Sequence, residues 1–164
     1  MIDADTLCFP NNVVDVIAQR ALDTLGLDGG VIKVPVDTGS PDETVAIIPA
    51  TWEPTGYAEM GKKPNQFENS LQTYSIMIQT LISDMDEERA IRRHSLLSTM
   101  VRRMLYRDPV LLGALTGLRV ETDDGIVEAT MKYGVRSQRF LVNQKDGSFQ
   151  YLSVIQFDLE TQTR

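Results

Sequence analysis

The C-terminal stretch, residues 126–164, constrains the fold more than any other part of the chain. Odd positions from Val127 to Val135 are mostly apolar, whereas even positions over the same stretch include charged and polar residues. After Gly147, the odd positions from Phe149 to Leu159 are again mostly large and apolar. Such period-two alternation is typical of a strand with one buried face. We therefore predict two long strands that form a β-hairpin, joined at residues 145–147.

The register of this hairpin follows from the alternation. A three-residue loop places Gln144 opposite Ser148 and brings three pairs of large residues onto one surface: Val135 with Phe157, Tyr133 with Leu159, and Leu141 with Tyr151. A two-residue loop would pair odd with even positions and turn one apolar face outward. Gly147 can adopt the positive φ that a three-residue turn needs. Because a hairpin this long is not stable alone, we expect a helix at 86–107 to cover its apolar face.

Apolar spacing predicts two main helices. The first covers 11–26, with Asn11 or Asn12 as its cap and Gly26 at its end. The second covers 86–107 and follows cap-forming residues at Ser83-Asp84, with two glutamates in its first turn. Asp108-Pro109 ends it, and a short helix then runs to Gly117.

Three further strands are predicted between the two helices. The first, at 31–37, contains Pro35, which indicates an edge position. The second, at 44–48, is apolar on both faces and is expected to stop at Pro49. The third covers 70–83. Helices that cluster on one face of a mainly antiparallel sheet, with a long C-terminal β-hairpin, give an α+β fold.

Residues 50–69 differ in kind from the rest of the chain. They lack a sustained period and contain two prolines, two glycines and three aromatic residues, Trp52, Tyr57 and Phe67. We predict an irregular arm here. Disordered linkers are poor in aromatic residues, so these rings either fold back on the domain's own surface or contact a neighbouring subunit.

The length, apolar runs and net charge of the chain argue against several classes of protein. A chain of 164 residues is expected to form a single domain, 1–164. Its apolar runs are far shorter than the ~20 residues that cross a bilayer. No signal-peptide pattern opens it, so we expect it to stay in the compartment where it is made, without a membrane. A net charge of −7 argues against a general nucleic-acid binder. The lone Cys8 fits a reducing cytosol.

No group of residues in the sequence predicts catalysis or a bound metal. The single histidine, His94, lies beside the apolar side of the second helix, which favours a packing role. Cys or His pairs with metal-ligand spacing, phosphate-binding glycine motifs and nucleophile motifs are all missing from the sequence. The acids at 84–88 are typical of a helix start, and they lack the glycine-containing loop of a calcium site. We therefore predict no catalytic residue, no metal and no cofactor.

The second helix carries a basic face. Six of the 16 Lys and Arg of the chain lie between 89 and 107. Five of them fall within about 60° of one direction at 100° per residue: Arg89, Arg92, Arg93, Arg103 and Arg107. This face is either solvated and partly neutralised by the acids at 86–88, or an ion-paired subunit interface, or a phosphate-contacting surface. An acidic chain with one basic face suits self-association around a ring.

The order of these elements resembles that of a known family. The residues that carry the likeness are Val45-Ala-Ile-Ile-Pro, Tyr74-Ser-Ile-Met-Ile, Asp84-Met-Asp-Glu-Glu-Arg-Ala, Met104-Leu-Tyr-Arg-Asp-Pro-Val-Leu, Leu118-Arg-Val, Met131-Lys-Tyr-Gly and Leu152-Ser-Val-Ile-Gln-Phe-Asp-Leu. Over roughly 11–160, this layout resembles the tail terminator proteins of long-tailed bacteriophages, also called tail completion or head–tail joining proteins. The likeness is one of layout and texture.

The resemblance implies a structural virion protein that forms a ring, expected to be a hexamer. Such a ring caps the tail tube, stops its growth and joins the tail to the capsid neck, without making or breaking a bond. The implied partners are further copies of the chain, the tail tube protein and a neck or head-completion protein. DNA would pass through the lumen without specific binding, and a lumen that shared the acidic charge would repel it. The expected location is the tail–neck junction of the virion, and the host cytoplasm during assembly.

Three other functions remain open from the sequence. A head-completion or stopper protein of the same neck also forms a ring. A small cytosolic enzyme would assemble its site from scattered carboxylates and arginines, and would show a deep polar pocket with perturbed carboxylates. A monomeric module would bind a peptide with the aromatic arm. The mass in solution separates these functions, because a stable monomer disfavours both ring-forming proteins.

Overall fold

The computed structural model describes residues 2–3, 8–27, 29–37, 39–57, 70–122, 125–145 and 147–163. Its elements follow in chain order: α1 (Phe9–Thr24), β1 (Val31–Ile32), β2 (Glu43–Tyr57), β3 (Ser70–Asp84), α2 (Glu87–Arg107), α3 (Pro109–Leu115), β4 (Arg119–Thr122), β5 (Gly125–Lys145) and β6 (Ser148–Thr163). The strands of this described part form one six-stranded sheet with the order β1-β2-β3-β6-β5-β4. Only the β1–β2 pair among them is parallel, so the predicted α+β class with a mainly antiparallel sheet is confirmed.

Burial alternates along β6 and identifies the face of the sheet that holds the core. Ile155, Phe157 and Leu159 are fully buried, whereas the residues between them are partly exposed. Ile76 and Ile78 lie beside them on β3 and belong to the same hydrophobic core. The helices contribute to this one core from α1, α2 and α3 through Val13, Ile17, Ala21, Leu97, Val101, Leu105, Leu111 and Leu115. α2 packs against β3 and β6, so the expected cover of the hairpin by this helix is confirmed for its second strand.

The predicted hairpin register is confirmed along the middle of β5 and β6. Val135 pairs with Phe157, Tyr133 with Leu159, and Leu141 with Tyr151. The predicted turn is wrong: Lys145 pairs with Ser148, so two residues separate the paired ends, and Gln144 pairs with Phe149. A register shift between Leu141 and Asn143 absorbs the difference. The odd–even conflict of a two-residue loop is thus resolved by a bulge. Gly147 has the expected positive φ, 79°.

The two main helices begin at other residues than predicted. α1 starts at Phe9 with Pro10 in its first turn, and its N-cap is Cys8, so a cap at Asn11 or Asn12 is wrong. Pro10 favours this earlier start, because proline is well suited to the first turn of a helix. The N-cap of α2 is Asp86, whose side chain accepts a hydrogen bond from the Arg89 backbone N–H. The cap predicted at Ser83-Asp84 is wrong, because β3 extends to Asp84.

β2 does not stop at Pro49, and it continues to Tyr57. The irregular arm predicted at 50–69 is therefore wrong over 50–57, while 58–69 lie outside the described residues. β1 pairs only with Val45 and Ala46, so no described strand lies beside Pro49 on the outer side of β2. The N–H that proline lacks is therefore not required there for strand pairing. Register shifts after Pro49 and Pro54 accommodate the two prolines. β1 occupies the edge of the sheet, as predicted, but it ends before Pro35.

Candidate functional site

The first arginines of α2 are engaged with a buried carboxylate. The side chain of Asp84, at the end of β3, is only 2% exposed. Arg89 donates to it from Nε and Nη2 at 2.7 Å each, and Arg93 donates from Nη1 at 2.6 Å. The hydrogen bonds from Arg89, followed by those from the Asp86 backbone N–H and from Arg93, hold the pKa of Asp84 well below its usual range.

Arg93 connects three elements, because it also pairs with Glu43 at the start of β2. Hydrogen bonds to Glu43 and Asp84 raise the pKa of Arg93. Arg92 pairs with Glu88 one helical turn away at 2.8 Å, and both side chains are mostly exposed, so this pair contributes little to stability. The N-terminal half of the predicted basic face is thus neutralised within the chain. The main neutralising carboxylates are Asp84 and Glu43 rather than the acids at 86–88 alone.

The C-terminal half of α2 carries a basic patch that we define as Arg102, Arg103 and Arg107. All three side chains are exposed, and within the described ranges none of them forms an ion pair. Together with Thr99 and Tyr106, they line an open hollow of about 450 Å³. Tyr106 is 48% exposed. Three uncompensated guanidiniums beside an accessible ring form a surface suited to carboxylates or other anions.

A groove runs along α2 beside the end of α1, and we call it the α1/α2 groove. One hollow in it measures about 340 Å³; its lining includes Leu25, Met100 and Met104 and the arginines Arg103 and Arg107. A second hollow of about 130 Å³ shares two of these apolar residues and adds the exposed Leu96. The groove therefore combines an apolar lining with part of the basic patch.

An ion pair lies at one end of this groove. Arg20 Nε donates to Asp108 Oδ2 at 2.8 Å, and this hydrogen bond is the main reason that the pKa of Asp108 is lowered. Asp108 also caps α3 by accepting from the backbone N–H groups of Val110 and Leu111. Arg20 and Asp108 therefore fix α1 against the α2–α3 junction.

The aromatic candidates lie partly on a strand. Trp52 and Tyr57 belong to β2, opposite Tyr74 and Ser70 of β3. Phe67 lies outside the described residues. The Tyr74 ring packs against the Phe9 ring at a centroid distance of 5.2 Å. The Trp52 position is therefore in register with a residue of the core, rather than in an irregular segment.

His94 belongs to a buried polar cluster between α2 and the sheet. Its Nε2 lies 3.4 Å from Thr80 Oγ1, and the hydroxyls of Thr80, Ser98 and Ser153 are hydrogen-bonded to one another. The ring is 1% exposed, which supports a packing role. The described residues contain no group of three or more His, Cys, Asp or Glu side chains that could hold a metal ion. No helix among them is long and apolar enough to span a membrane.

Sequence reasoning missed Arg102, Tyr106 and Met85 as surface features. Arg102 lies off the direction shared by the other arginines, but it joins Arg103 and Arg107 around one hollow. Met85 is 66% exposed immediately before three acidic residues. The signal in the sequence was one apolar residue flanked by acidic residues at 84 and 86–88.

Comparisons with known proteins gave the following. No protein-family model matches the chain, and no curated protein matches it. Among solved structures, the chain is similar to a chain in the virion of a native gene transfer agent (GTA) particle. The identity is 9% and the TM-score 0.44, with 92% of this chain and 91% of the other covered. At this TM-score, the likeness supports no functional conclusion.

Proposed function

We propose that this chain is a structural virion protein of the tail-terminator kind, whose copies form a ring that caps the tail tube and joins the tail to the capsid neck. The observation that carries the proposal is the pair of long, open strand edges on opposite sides of the sheet. Ring size, here six, follows from the resemblance of the chain to tail terminator proteins.

The first open edge belongs to β2. β1 pairs only with Val45 and Ala46, so the outer side of β2 from Ile47 to Tyr57 has no neighbouring strand in the described part of the chain. Unpaired backbone N–H and C=O groups along such an edge are ready to pair with another chain, except that Pro49 and Pro54 have no N–H to donate.

The second open edge belongs to β5. β4 pairs with β5 only between Gly125 and Glu128, and the Ala129 N–H donates to Leu118. From residue 130 to Lys145, the outer side of β5 has no neighbouring strand among those described. A strand of 21 residues therefore extends far beyond its four-residue edge neighbour.

Two different edges on opposite sides of one sheet favour head-to-tail contact between copies. β2 of one copy pairing or packing with β5 of the next would leave the same two edges free at the ends of the pair. Repetition of such a heterologous contact gives a closed ring when the rotation between copies closes. The function then consists of binding to copies, to a tube end and to a neck protein.

Electron microscopy of the purified protein tests the proposal. We expect annular particles with a central opening, with a mass of six chains by multi-angle light scattering. A tail-assembly reaction that lacks the protein should yield tubes of uncontrolled length. A protein that stays monomeric at high concentration, without annular particles, would overturn the proposal.

A further inference from the structure

α2 has opposite electrostatic character at its two ends. Five carboxylates lie at its N-terminal end, those of Glu43, Asp84, Asp86, Glu87 and Glu88, with only three guanidiniums, those of Arg89, Arg92 and Arg93, which leaves an acidic excess. Glu87 Oε1 also accepts a hydrogen bond from the Tyr151 hydroxyl at 3.2 Å. At the other end, the basic patch has no carboxylate partner in the described part, because Asp108 is paired with Arg20. Residues 87 and 103 are about 24 Å apart along the helix axis at 1.5 Å per residue. The two ends of one helix therefore cannot neutralise each other within a chain.

The acidic end also presents an apolar side chain. Met85 is 66% exposed and is followed by Asp86, Glu87 and Glu88, all exposed. The α1/α2 groove offers the complement: an apolar lining of Leu25, Met100 and Met104 next to Arg103 and Arg107. Methionine is flexible and polarisable, so it fills irregular apolar hollows well. Charge and polarity therefore match on two surfaces of the same chain.

We propose that the α1/α2 groove and the basic patch receive the Met85–Glu88 turn of a second copy of this chain. The Met85 side chain enters the groove over Leu25 and Met100, and the carboxylates of Glu87 and Glu88 pair with Arg103 and Arg107. The donor turn and the acceptor groove are different surfaces of the chain, so the contact can repeat head-to-tail from one copy to the next. This inference rests on the proposed function in one respect, that copies of the chain contact one another. It adds which helical surface they use.

A second copy suits the basic patch better than a nucleic acid does. The whole chain carries −7, so a polyanion approaching the patch is repelled by the rest of the surface. Another copy presents its acidic turn locally and can orient the remainder of its surface away. The turn also supplies the apolar side chain that the groove can bury, which a phosphate backbone does not.

The test is a reciprocal charge exchange, read by multi-angle light scattering. The variant Arg103→Glu/Arg107→Glu should need a concentration at least ~30-fold higher to assemble, because like charges then face each other. The variant Glu87→Lys/Glu88→Lys should lose assembly to a similar extent. Mixed in equal amounts, the two variants should assemble again, since the acidic patch of one now meets the basic turn of the other. Assembly of the mixture also shows that both variants are folded.

Two further variants control for charge and for the apolar contact. Lys33→Glu/Arg119→Glu changes the net charge by the same −4 (two changes of −2) as Arg103→Glu/Arg107→Glu, at exposed positions outside α2 and the groove, and it should assemble like the wild type. Met85→Ser should weaken assembly without lowering the melting temperature, because Met85 is mostly exposed. Wild-type assembly should weaken as the salt concentration rises.

The outcomes separate the two proposals. A wild-type ring that persists in Arg103→Glu/Arg107→Glu overturns this inference and leaves the proposed function standing. Loss of assembly in both charge variants without recovery in the mixture rejects Met85–Glu88 as the occupant. A wild-type chain that binds duplex DNA but remains monomeric overturns both proposals.

Discussion

Arg89 donates two hydrogen bonds to one carboxylate, that of Asp84, from Nε and Nη2 at 2.7 Å each. This two-point contact fixes the first turn of α2 to the end of β3. Arg93 adds a third hydrogen bond to the same carboxylate from the next turn of the helix. The position of the main helix on the sheet therefore depends on a buried charge with two partners.

We expect Asp84→Asn to lower the melting temperature at pH 7. The folded-state pKa of Asp84 is depressed, so its stabilisation is complete above the unfolded-state value, about pH 4, and is lost as the pH falls through that value towards the folded one. The difference between variant and wild type should therefore shrink below about pH 4. Thermal unfolding of both proteins from pH 7 to pH 2 measures this difference in melting temperature. Asp15→Asn, which removes only the exposed pair with Lys33, should have little effect at any pH.

Phe157→Ala should destabilise the protein by about 3–5 kcal/mol, because Phe157 is fully buried at the centre of the sheet face that the helices cover. For a chain of this size, that corresponds to a fall in melting temperature of roughly 6–20 °C. Val154→Ala, on the opposite and partly exposed face of the same strand, should cost about 1 kcal/mol or less. Calorimetry measures the loss of stability in each variant. Equal losses of stability in the two variants would contradict the assignment of the core face.

Deletion of Val142 should be tolerated. Leu141 pairs with Tyr151 and Asn143 with Gln150, so Val142 is the extra residue of the register shift. Its removal leaves every pair on either side unchanged. Deletion of Ser137, which pairs with Ile155 in the regular part of the hairpin, should instead displace the register of the strand and prevent native folding. Thermal melts compare the two deletions, and a folded Ser137 deletion would be inconsistent with the register.

Trp52→Ala combined with Tyr57→Ala should leave the monomer folded and weaken ring formation. Both positions lie on the part of β2 whose outer edge has no described neighbour. Light scattering measures the assembly, and circular dichroism confirms the fold. An unchanged oligomer would remove these aromatic residues from the subunit contact and leave the strand edges and the α1/α2 groove to account for it.

Periodicity predicted most of the elements and the core. Ile155, Phe157 and Leu159 are buried, as the alternation after Gly147 predicted. This succeeded because alternation and helical spacing report directly which face meets the core. The α+β class followed from the order of these elements.

The predictions failed where the local structure depends on contacts between segments that are distant in sequence. Pro49 predicted a strand end, but its consequence depends on the length of β1, which pairs with β2 far from the proline. The pairing of Lys145 with Ser148 is compatible with the register only through the shift between Leu141 and Asn143. Arg89 and Arg93 were placed correctly on one helix face. Spacing along that helix could not show that they reach back to Asp84 and Glu43.

Pro49 and Pro54 have a consequence beyond the path of β2. Each lacks an amide hydrogen, so the outer rim of the strand offers an interrupted row of donors. A β-strand of another protein would lack backbone hydrogen bonds at both prolines, so non-specific pairing along this edge is weakened. The same missing donors disfavour the stacking of chains into fibrils. Only a partner strand that places no hydrogen-bond acceptor opposite the two prolines can pair along the full length of this edge.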